Sequence, residues 1–484
     1  MDHTYLLISL IIIFFAILTI FKIFGKKEIV VENLYPLADY YYPISNETKN
    51  PDILEVSLTA SEVELEINGI ITSVYTYNEL YPGPLIKGRV GQKLIIHFKN
   101  DLLFPTNLEF YGYSVSDKTS ILLDNPVLPG SEISYVLTLN KPGLYMYRSG
   151  KTGRDQHEQV SNGLYGVLLV KDDIQNHRLG LPLEENIIVI SDIYQDDIIG
   201  SEMNHIYLVN GIKEGVIEVE RNVTQRLNII NASCDEIYRL SLEDTEMMRI
   251  GGDQGLCEEP IYIPVSGSLI LTPGERADII FIPKNDATQL QSNNIPLVTF
   301  ISIGDKNKDD DDKDDARNNS IKGTVRSRLI CIPRITPKDS TPVIDITYFE
   351  KEIIVNDGSG NLGITMSSSY DKDGYILTDG TYIFEVYNKT RYTQNFHISE
   401  LSFQHVLTTS TNNTFTEDNT ESNIYSPSVI ETQDTIIVLP NSKVILLLKI
   451  PKKVRKNKTG MKYYFGSNIL FYAKRGLQSY FRVV

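Results

Sequence analysis

Beyond residue 52 the chain is patterned as short alternations of apolar and polar residues. Runs of Val, Ile, Leu, Tyr and Thr are broken by Gly, Pro, Asn and Asp at intervals of roughly 8–12 residues. Successive side chains of a strand point to opposite faces, so this alternation is typical of half-buried strands. No long stretch with a 3.6-residue period follows residue 27. The pattern therefore predicts an all-β protein built from sandwiches or barrels.

The exception is a nearly continuous apolar run from Tyr5 to Phe24, in which Lys22 is the one charged residue. At roughly 1.5 Å per residue a helix of this length spans the ~30 Å hydrocarbon layer. A cleaved secretory signal is the alternative, but a charged leading region is missing and no small-residue cleavage site precedes Lys26. We therefore predict a single-pass membrane anchor at residues 1–27 and a polar stalk at residues 28–51.

The side of the membrane stays open in the sequence. Lys22, Lys26 and Lys27 follow the apolar run while Asp2 and His3 precede it, which favours a cytosolic body. An excess of N-x-[ST] sequons favours a luminal body instead. The sequons begin at Asn46, Asn222, Asn231, Asn318, Asn388, Asn412 and Asn457.

Length and charge restrict the classes of function. A chain of 484 residues exceeds what one hydrophobic core usually covers, and three domains of common size account for it. The net charge of −16 argues against a nucleic-acid partner, because phosphate binding requires a basic face. The abundance of Tyr, at 29 residues, and the absence of Trp suggest an AT-rich coding genome, such as that of a protist or a large DNA virus.

Two charged runs interrupt the pattern of strands. Asp305 to Asp315 reads DKNKDDDDKDD, and we interpret it as a solvated loop rather than a cation site, since it lacks the turn glycine of an ordered ion loop. Lys449 to Lys462 carries seven basic residues and no acid. A solvated loop is again the favoured interpretation, with anionic lipid or an acidic partner as the alternative ligand.

The cysteines do not form a disulfide framework, because Cys234, Cys257 and Cys331 are too few and odd in number. A single bridge between Cys234 and Cys257 remains open. The cysteine content therefore does not decide the redox compartment.

Several turns in the first half of the chain carry a family resemblance. Tyr81-Pro-Gly-Pro-Leu-Ile precedes Val90-Gly-Gln and an alternating strand, and turn chemistry alone predicts strand, turn, strand here. Leu108 to Gly112, Gly143 to Gly150 and Gly163 to Val170 follow in order. This series resembles the first cupredoxin domain of the multicopper oxidases, which include the laccases and the bacterial copper-efflux oxidases.

Later segments extend the resemblance through two further domains. Arg226 to Ser233, Gly252 to Gly255 and Pro273 to Asp278 resemble the second domain of the family, and Gly380 to Asn388 and Gln394 to Phe403 resemble the third. The resemblance implies an all-β chain of three cupredoxin-like Greek-key sandwiches. We place these domains at residues 52–172, 186–332 (with the acidic loop 305–315) and 341–484.

The residues at the copper-binding positions do not have the required chemistry. Lys462 to Leu477 resembles the C-terminal copper signature of the family in register, but Ser467 cannot supply the thiolate of a blue-copper centre. Arg148 carries a permanent positive charge. The positions that the resemblance assigns to copper are Glu109, Tyr111, Arg148, Gly150, Gln394, His397, Ser399, Gly466, Ser467, Asn468, Tyr472 and Leu477.

The histidine total supports the same conclusion, because seven histidines are fewer than the full copper complement of this family under any alignment. We therefore predict no catalytic residue, no bound cofactor and no metal site. Tyr111, Arg148 and Tyr472 are expected to fill the vacated copper cavities, with a salt bridge from Arg148 to Glu109. The seven histidines are His3, His97, His157, His177, His205, His397 and His405.

Three functional hypotheses follow. The favoured one is a membrane-anchored, non-catalytic scaffold with a structural role or a protein partner. The second is an enzyme or binder with a rebuilt single-metal site, using His157 with Asp155 and Glu158, or His397 with His405 on one strand face. The third, an active multicopper oxidase, is the least favoured because of the ligand chemistry.

Overall fold

The described structure is nearly all β, which confirms the predicted fold class. In this computed structural model, residues 36–484 form one compact unit. The predicted anchor and most of the predicted stalk lie outside the described residues, among which no helix is long and apolar enough to cross a membrane. The described ranges are 43–113, 126–150, 156–196, 203–304, 329–331, 342–348, 362–366, 369–371, 374–410, 430–450, 461–474 and 476–483.

The first domain is a sandwich of two sheets, with strand orders β2-β1-β4-β6 and β3-β8-β7-β5. Its core is rich in tyrosine, including the fully buried Tyr77, Tyr135 and Tyr147. Its described strands are β1 (Ile53–Ile67), β2 (Ile70–Tyr77), β3 (Ile86–Arg89), β4 (Lys93–Asn100), β5 (Glu109–Phe110), β6 (Glu132–Thr138), β7 (Gly143–Arg148) and β8 (Tyr165–Lys171). Two short helices accompany it, α1 (Gln156–Ser161) and α2 (Asp173–Leu179), and α2 leads into the second domain.

The second domain repeats the arrangement with larger sheets, ordered β10-β9-β12-β17-β14-β15 and β11-β19-β18-β13-β16. The central strand β17 is buried at every position, as expected for a strand covered on both faces. The described strands are β9 (Asn186–Asp196), β10 (Met203–Val209), β11 (Gly215–Glu220), β12 (Gln225–Asn231), β13 (Tyr238–Leu242), β14 (Met247–Gly252), β15 (Gly255–Ile263), β16 (Leu269–Leu271), β17 (Arg276–Phe281), β18 (Ala287–Ser292) and β19 (Ile295–Ile303).

The third domain has sheets ordered β21-β20-β24-β29-β26-β27 and β22-β23-β31-β30-β25-β28. β24 and β29 alternate between buried and partly exposed residues along most of their length, so one face of each strand packs into the core. The described elements are β20 (Val343–Tyr348), β21 (Leu362–Met366), β22 (Ser369–Asp371), β23 (Gly374–Leu377), β24 (Gly380–Asn388), β25 (Gln394–Ile398), β26 (Phe403–Ser410), β27 (Thr432–Gln433), β28 (Thr435–Val438), β29 (Ser442–Ile450), β30 (Met461–Gly466), α3 (Leu470–Lys474) and β31 (Gln478–Val483).

An asparagine closes the equivalent strand of each domain. Asn100 ends β4, Asn231 ends β12 and Asn388 ends β24, and all three are buried. Each amide nitrogen donates to at least two backbone carbonyls of neighbouring segments, while each amide oxygen accepts the backbone N–H two residues later. The side chain thus satisfies backbone groups where the chain leaves the sheet.

This corner explains two of the sequons. Ser233 and Thr390 donate their hydroxyls to the amide oxygens of Asn231 and Asn388, at 2.6 and 2.7 Å. A glycan on either asparagine would break the hydrogen bonds of its buried amide nitrogen, so the fold does not accommodate one there. These two sequons therefore reflect the fold, and they give no support to a luminal location.

The bridge between Cys234 and Cys257 that the sequence left open is not formed, since no disulfide joins the three cysteines. Cys257 lies in the core of the second domain, where its thiol donates to the carbonyl of Glu259 at 2.9 Å. Cys234 belongs to a separate apolar cluster between the first and second domains. The two thiols are thus packed in different cores.

The partly buried His405 on β26 makes stability depend on pH. Burial lowers the pKa of His405 to about 4, against about 6.5 in an unfolded chain. Between these values the unfolded chain binds more protons than the folded one, so stability falls as the pH falls. We expect His405→Gln to remove about 2 kcal/mol of the difference in unfolding free energy between pH 7 and pH 4.5.

Urea unfolding of the parent and the variant at the two pH values measures this difference. His177→Gln, at an exposed position of α2, is the matched control and should keep the pH dependence of the parent. An equal loss of stability at low pH in His405→Gln and in the parent would contradict the prediction.

Candidate functional site

The residues at the copper positions of the first and third domains meet at the interface between these domains. β5 and β7 are antiparallel neighbours that place Glu109 directly opposite Arg148. Tyr111 follows β5, His397 lies on β25, and Asn468 lies between β30 and α3. The fold therefore brings together the positions that the resemblance assigned to copper, although their side chains differ from those of the family.

Tyr111 is at the centre of this interface and is fully buried. Its ring stacks on the imidazole of His397 with centroids 4.6 Å apart and planes inclined by 28°. The guanidinium carbon of Arg148 also lies 4.6 Å from the centre of the Tyr111 ring, a cation–π contact. Burial raises the pKa of Tyr111 well above its usual range, so the phenol stays neutral.

The predicted ion pair between Arg148 and Glu109 is present, with Nε 3.6 Å from Oε2. This separation is within ion-pair range but longer than a hydrogen bond. Glu109 also accepts hydrogen bonds from Ser399 Oγ and Gln156 Nε2, each at 3.2 Å, and Arg148 Nη2 donates to Asn468 Oδ1 at 3.3 Å. Side chains at former ligand positions thus link the first domain directly to the third.

His397 is the one histidine at these positions. Its Nδ1 lies 2.9 Å from the carbonyl oxygen of Asp434, which can only accept, so Nδ1 carries a proton. Its Nε2 is buried and has no hydrogen-bond partner among the described residues. The site thus contains one imidazole, stacked on Tyr111.

The remaining copper positions of the third domain hold an amide (Gln394), a hydroxyl (Ser467), a phenol (Tyr472) and an apolar side chain (Leu477). Ser467 donates to Asn395 Oδ1 at 3.1 Å, and Gln394 and Leu477 are fully buried. Tyr472 is partly buried and stacks with Tyr392 at 5.8 Å. A blue-copper site requires a thiolate and two imidazoles. The residues present therefore do not fit copper at either group of positions.

The suggested rebuilt metal sites are not assembled. His397 and His405 lie on β25 and β26 in different sheets, so the expectation that they share a strand face is wrong. The chain turns between them at Glu400, which has a left-handed backbone with φ of 63°. Within the described ranges no group of three or more His, Cys, Asp or Glu side chains could hold a metal ion.

His157 has a structural position instead, and its suggested partner Asp155 lies outside the described residues. Its Nε2 is 2.8 Å from Asp235 Oδ2, and Asp235 Oδ1 accepts the backbone N–H of Phe471 at 2.8 Å. Asp235 lies between β12 and β13 of the second domain, and α1 and α3 belong to the first and third, so Asp235 joins all three. Sequence reasoning missed this contact, for which no motif gave a signal.

A second contact between the three domains is fully buried. Arg276 forms a bidentate ion pair with Asp434, at 2.8 and 2.7 Å, and its Nε donates to the carbonyl of Leu144 at 2.9 Å. Asp253 accepts the backbone N–H groups of Arg276, Asp434 and Thr435, each at 3.1 Å. Leu144, Arg276 and Asp434 come from the first, second and third domains, so this network connects the whole unit.

The charge on Asp434 is held by this network. Burial by itself raises the pKa of a carboxyl, but the Arg276 guanidinium holds the pKa of Asp434 well below its usual range. Burial and the nearby Asp434 carboxylate raise the pKa of Asp253, against the opposing effect of the Arg276 guanidinium. The sequence resemblance had included Arg276 and Asp253 in family motifs of the second domain, whereas nothing in the sequence marked Asp434.

Comparisons with known proteins agree with this geometry. A family model described as multicopper oxidase matches residues 59–175. Cell division protein FtsP of Escherichia coli is 28% identical over 229 residues, covering 44% of this chain and 47% of that protein, and FtsP of Proteus mirabilis is 29% identical over 224 residues, covering 43% and 46%. The alignment thus spans about half the length of these curated relatives.

Solved structures match over nearly the whole chain. A multicopper oxidase from Campylobacter jejuni, described as a metallo-oxidase, has a TM-score of 0.71 at 22% identity and covers 93% of this chain and 94% of its own. A laccase from Pediococcus acidilactici has a TM-score of 0.71 at 21% identity and covers 93% of each chain. At this level of identity the likeness concerns the fold.

Three β-sandwiches that contact one another through buried residues between the domains are the arrangement of a three-domain cupredoxin protein. Residues 59–175 match the multicopper oxidase family, and the described structure has the cupredoxin-like fold of the multicopper oxidases. The predicted family resemblance is thereby confirmed.

The Arg276–Asp434 pair should dominate the stability of the unit. Asp434→Ala leaves a buried guanidinium without its main counter-charge, and we expect the free energy of unfolding to fall by about 3–5 kcal/mol. Asp101→Ala is the control, since Asp101 pairs with Lys99 at the surface, with side chains 39% and 43% exposed, and should change stability by less than about 1 kcal/mol.

Chemical denaturation followed by circular dichroism measures both changes. Similar effects of the two substitutions would show that the buried pair does not hold the domains together.

Proposed function

We propose that this chain is a non-catalytic scaffold that retains the multicopper oxidase fold without its copper centres. The observation that carries the proposal is Arg148, whose guanidinium lies against Tyr111 and beside Glu109 at ligand positions of the family. A fixed positive charge repels a copper ion, and neutral Tyr111 gives it no anionic ligand. Oxidation of reductants coupled to reduction of dioxygen is therefore not the function that these residues support.

The side chains at the copper positions of the first domain also make direct contacts with the third domain, which supports a scaffold. Bound metal would join domains through coordinate bonds, whereas here Glu109 contacts Ser399, Arg148 contacts Asn468 and Tyr111 stacks on His397. The contacts keep the first and third domains together without a cofactor.

The curated relatives support a role outside oxidation. They carry the name cell division protein rather than the name of an oxidase. On this basis we propose that the chain acts by presenting a surface to a protein partner, and that residues 1–27 anchor it in a membrane.

The alternative is a protein that binds one metal ion in a rebuilt site. The buried, unpartnered Nε2 of His397 is the observation that favours it. A single imidazole supplies one ligand, fewer than the three protein ligands typical of a catalytic zinc site. We therefore rank this alternative second and an active multicopper oxidase last.

Metal content distinguishes these functions. After incubation of the purified chain with excess Cu²⁺ and dialysis, we expect elemental analysis to find close to zero copper per chain, because no thiolate and only one imidazole occupy the ligand positions. The Pediococcus acidilactici laccase, treated identically, should retain its copper and serves as the positive control.

Stoichiometric copper or zinc in a correctly folded chain would overturn the proposal and favour the rebuilt site. Separate His397→Gln and His157→Gln variants would then locate the metal, since only the variant that lacks a ligand should lose it.

A further inference from the structure

The smaller sheet of the second domain has an open edge. β11 pairs with β19 alone, in parallel register from Gly215 opposite Val298 to Glu220 opposite Ile303. In the part of the chain that the structure describes, no strand lies along its other side. The open edge of a strand presents backbone N–H and C=O groups that an extended polypeptide can pair with.

The outer face of this edge mixes apolar and acidic side chains. Alternate residues of β11 face the core, and the others, Val216, Glu218 and Glu220, are exposed. The next strand adds Ile301 and Ile303 on the same face, and the three apolar residues are between 41% and 49% exposed. A partner strand laid along β11 would cover Val216 and extend towards the two isoleucines.

The charges of this face are uncompensated. Neither Glu218 nor Glu220 forms an ion pair or a side-chain hydrogen bond with another described residue. The chemistry that complements this edge is therefore basic, and the long stems of lysine or arginine can also cover apolar surface.

We propose that β11 binds an extended, basic segment of a partner polypeptide as an added strand. Main-chain hydrogen bonds to β11 provide the binding, and basic side chains opposite Glu218 and Glu220 provide the specificity. The inference rests on the proposed function, because it names the surface by which a non-catalytic scaffold engages its partner.

A second copy of the chain is not the occupant. Pairing two β11 strands would bring the carboxylates of Glu218 and Glu220 close to those of the other copy, and like charges across strands destabilise pairing. The same carboxylates protect the edge against self-association. The competing explanation is that Glu218 and Glu220 only prevent self-association and that β11 has no partner. An experiment must distinguish this from strand addition.

Fluorescence anisotropy with the purified full chain tests the proposal. The probe is a labelled eight-residue peptide of alternating Lys and Val, and an alternating Glu and Val peptide is its comparison. We expect saturable binding of the Lys peptide only. Glu218→Lys combined with Glu220→Lys should weaken it by about tenfold or more, while the charge-matched control, Glu47→Lys combined with Glu184→Lys at exposed loop positions, should bind as the parent does.

A second probe tests strand addition itself. The same Lys peptide with N-methyl groups at alternate residues keeps its charge but cannot donate ladder hydrogen bonds, so we expect it not to bind. Hydrogen exchange of residues 215–220 should slow with the unmodified peptide alone. Equal binding of the methylated peptide, or equal loss in both Glu→Lys pairs, would show a general charge effect and overturn the proposal.

Absence of binding to the Lys peptide would also overturn it and leave Glu218 and Glu220 as edge protection. These outcomes are independent of the metal analysis, which decides the scaffold proposal. A chain without copper that does not bind the Lys peptide would overturn the strand-addition proposal alone. A chain that binds copper would overturn the scaffold proposal.

Discussion

The architecture depends on one buried ion pair, Arg276 with Asp434, whose side chains are both inaccessible to solvent. Removing two charges from water is costly, and only bidentate geometry with further hydrogen bonds offsets that cost. Here the carbonyls of Gly274 and Leu144 accept hydrogen bonds from the same guanidinium. The carboxyl group of Asp253 accepts the backbone N–H groups of Arg276 and Asp434 themselves. The pair joins the second and third domains, and the Leu144 carbonyl adds the first, so the hydrogen bonding of Arg276 is complete only when all three have assembled.

The copper positions follow the same principle with weaker contacts. Arg148, Tyr111 and Glu109 occupy space in which the family binds metal. They join the first domain to the third through hydrogen bonds and a stacked ring pair. The ion pair of Arg148 with Glu109 is longer, at 3.6 Å, than that of Arg276 with Asp434, at 2.7 Å, and it lacks the two direct hydrogen bonds of the latter. The interface has thus changed its chemistry while the fold around it is that of the family.

Local sequence gave reliable information wherever a pattern lies within a few residues. The period-two alternation predicted the strands, and the family motifs predicted the cupredoxin-like fold. The same local reading misjudged Asn231 and Asn388, which match a glycosylation sequon yet hold the ends of β12 and β24 through buried amides. Their hydroxyl neighbours stabilise the amide, and a motif match cannot reveal burial.

The sequence by itself determined the all-β class and the family resemblance, because each depends on residue type and short-range periodicity. Only the tertiary structure decided that Arg276 pairs with Asp434, that Asp235 joins His157 to α3, and that His397 and His405 lie in different sheets. The first two contacts join residues 158 and 78 positions apart in the chain. Such contacts arise from the packing of whole domains, and neither propensity nor spacing specifies them.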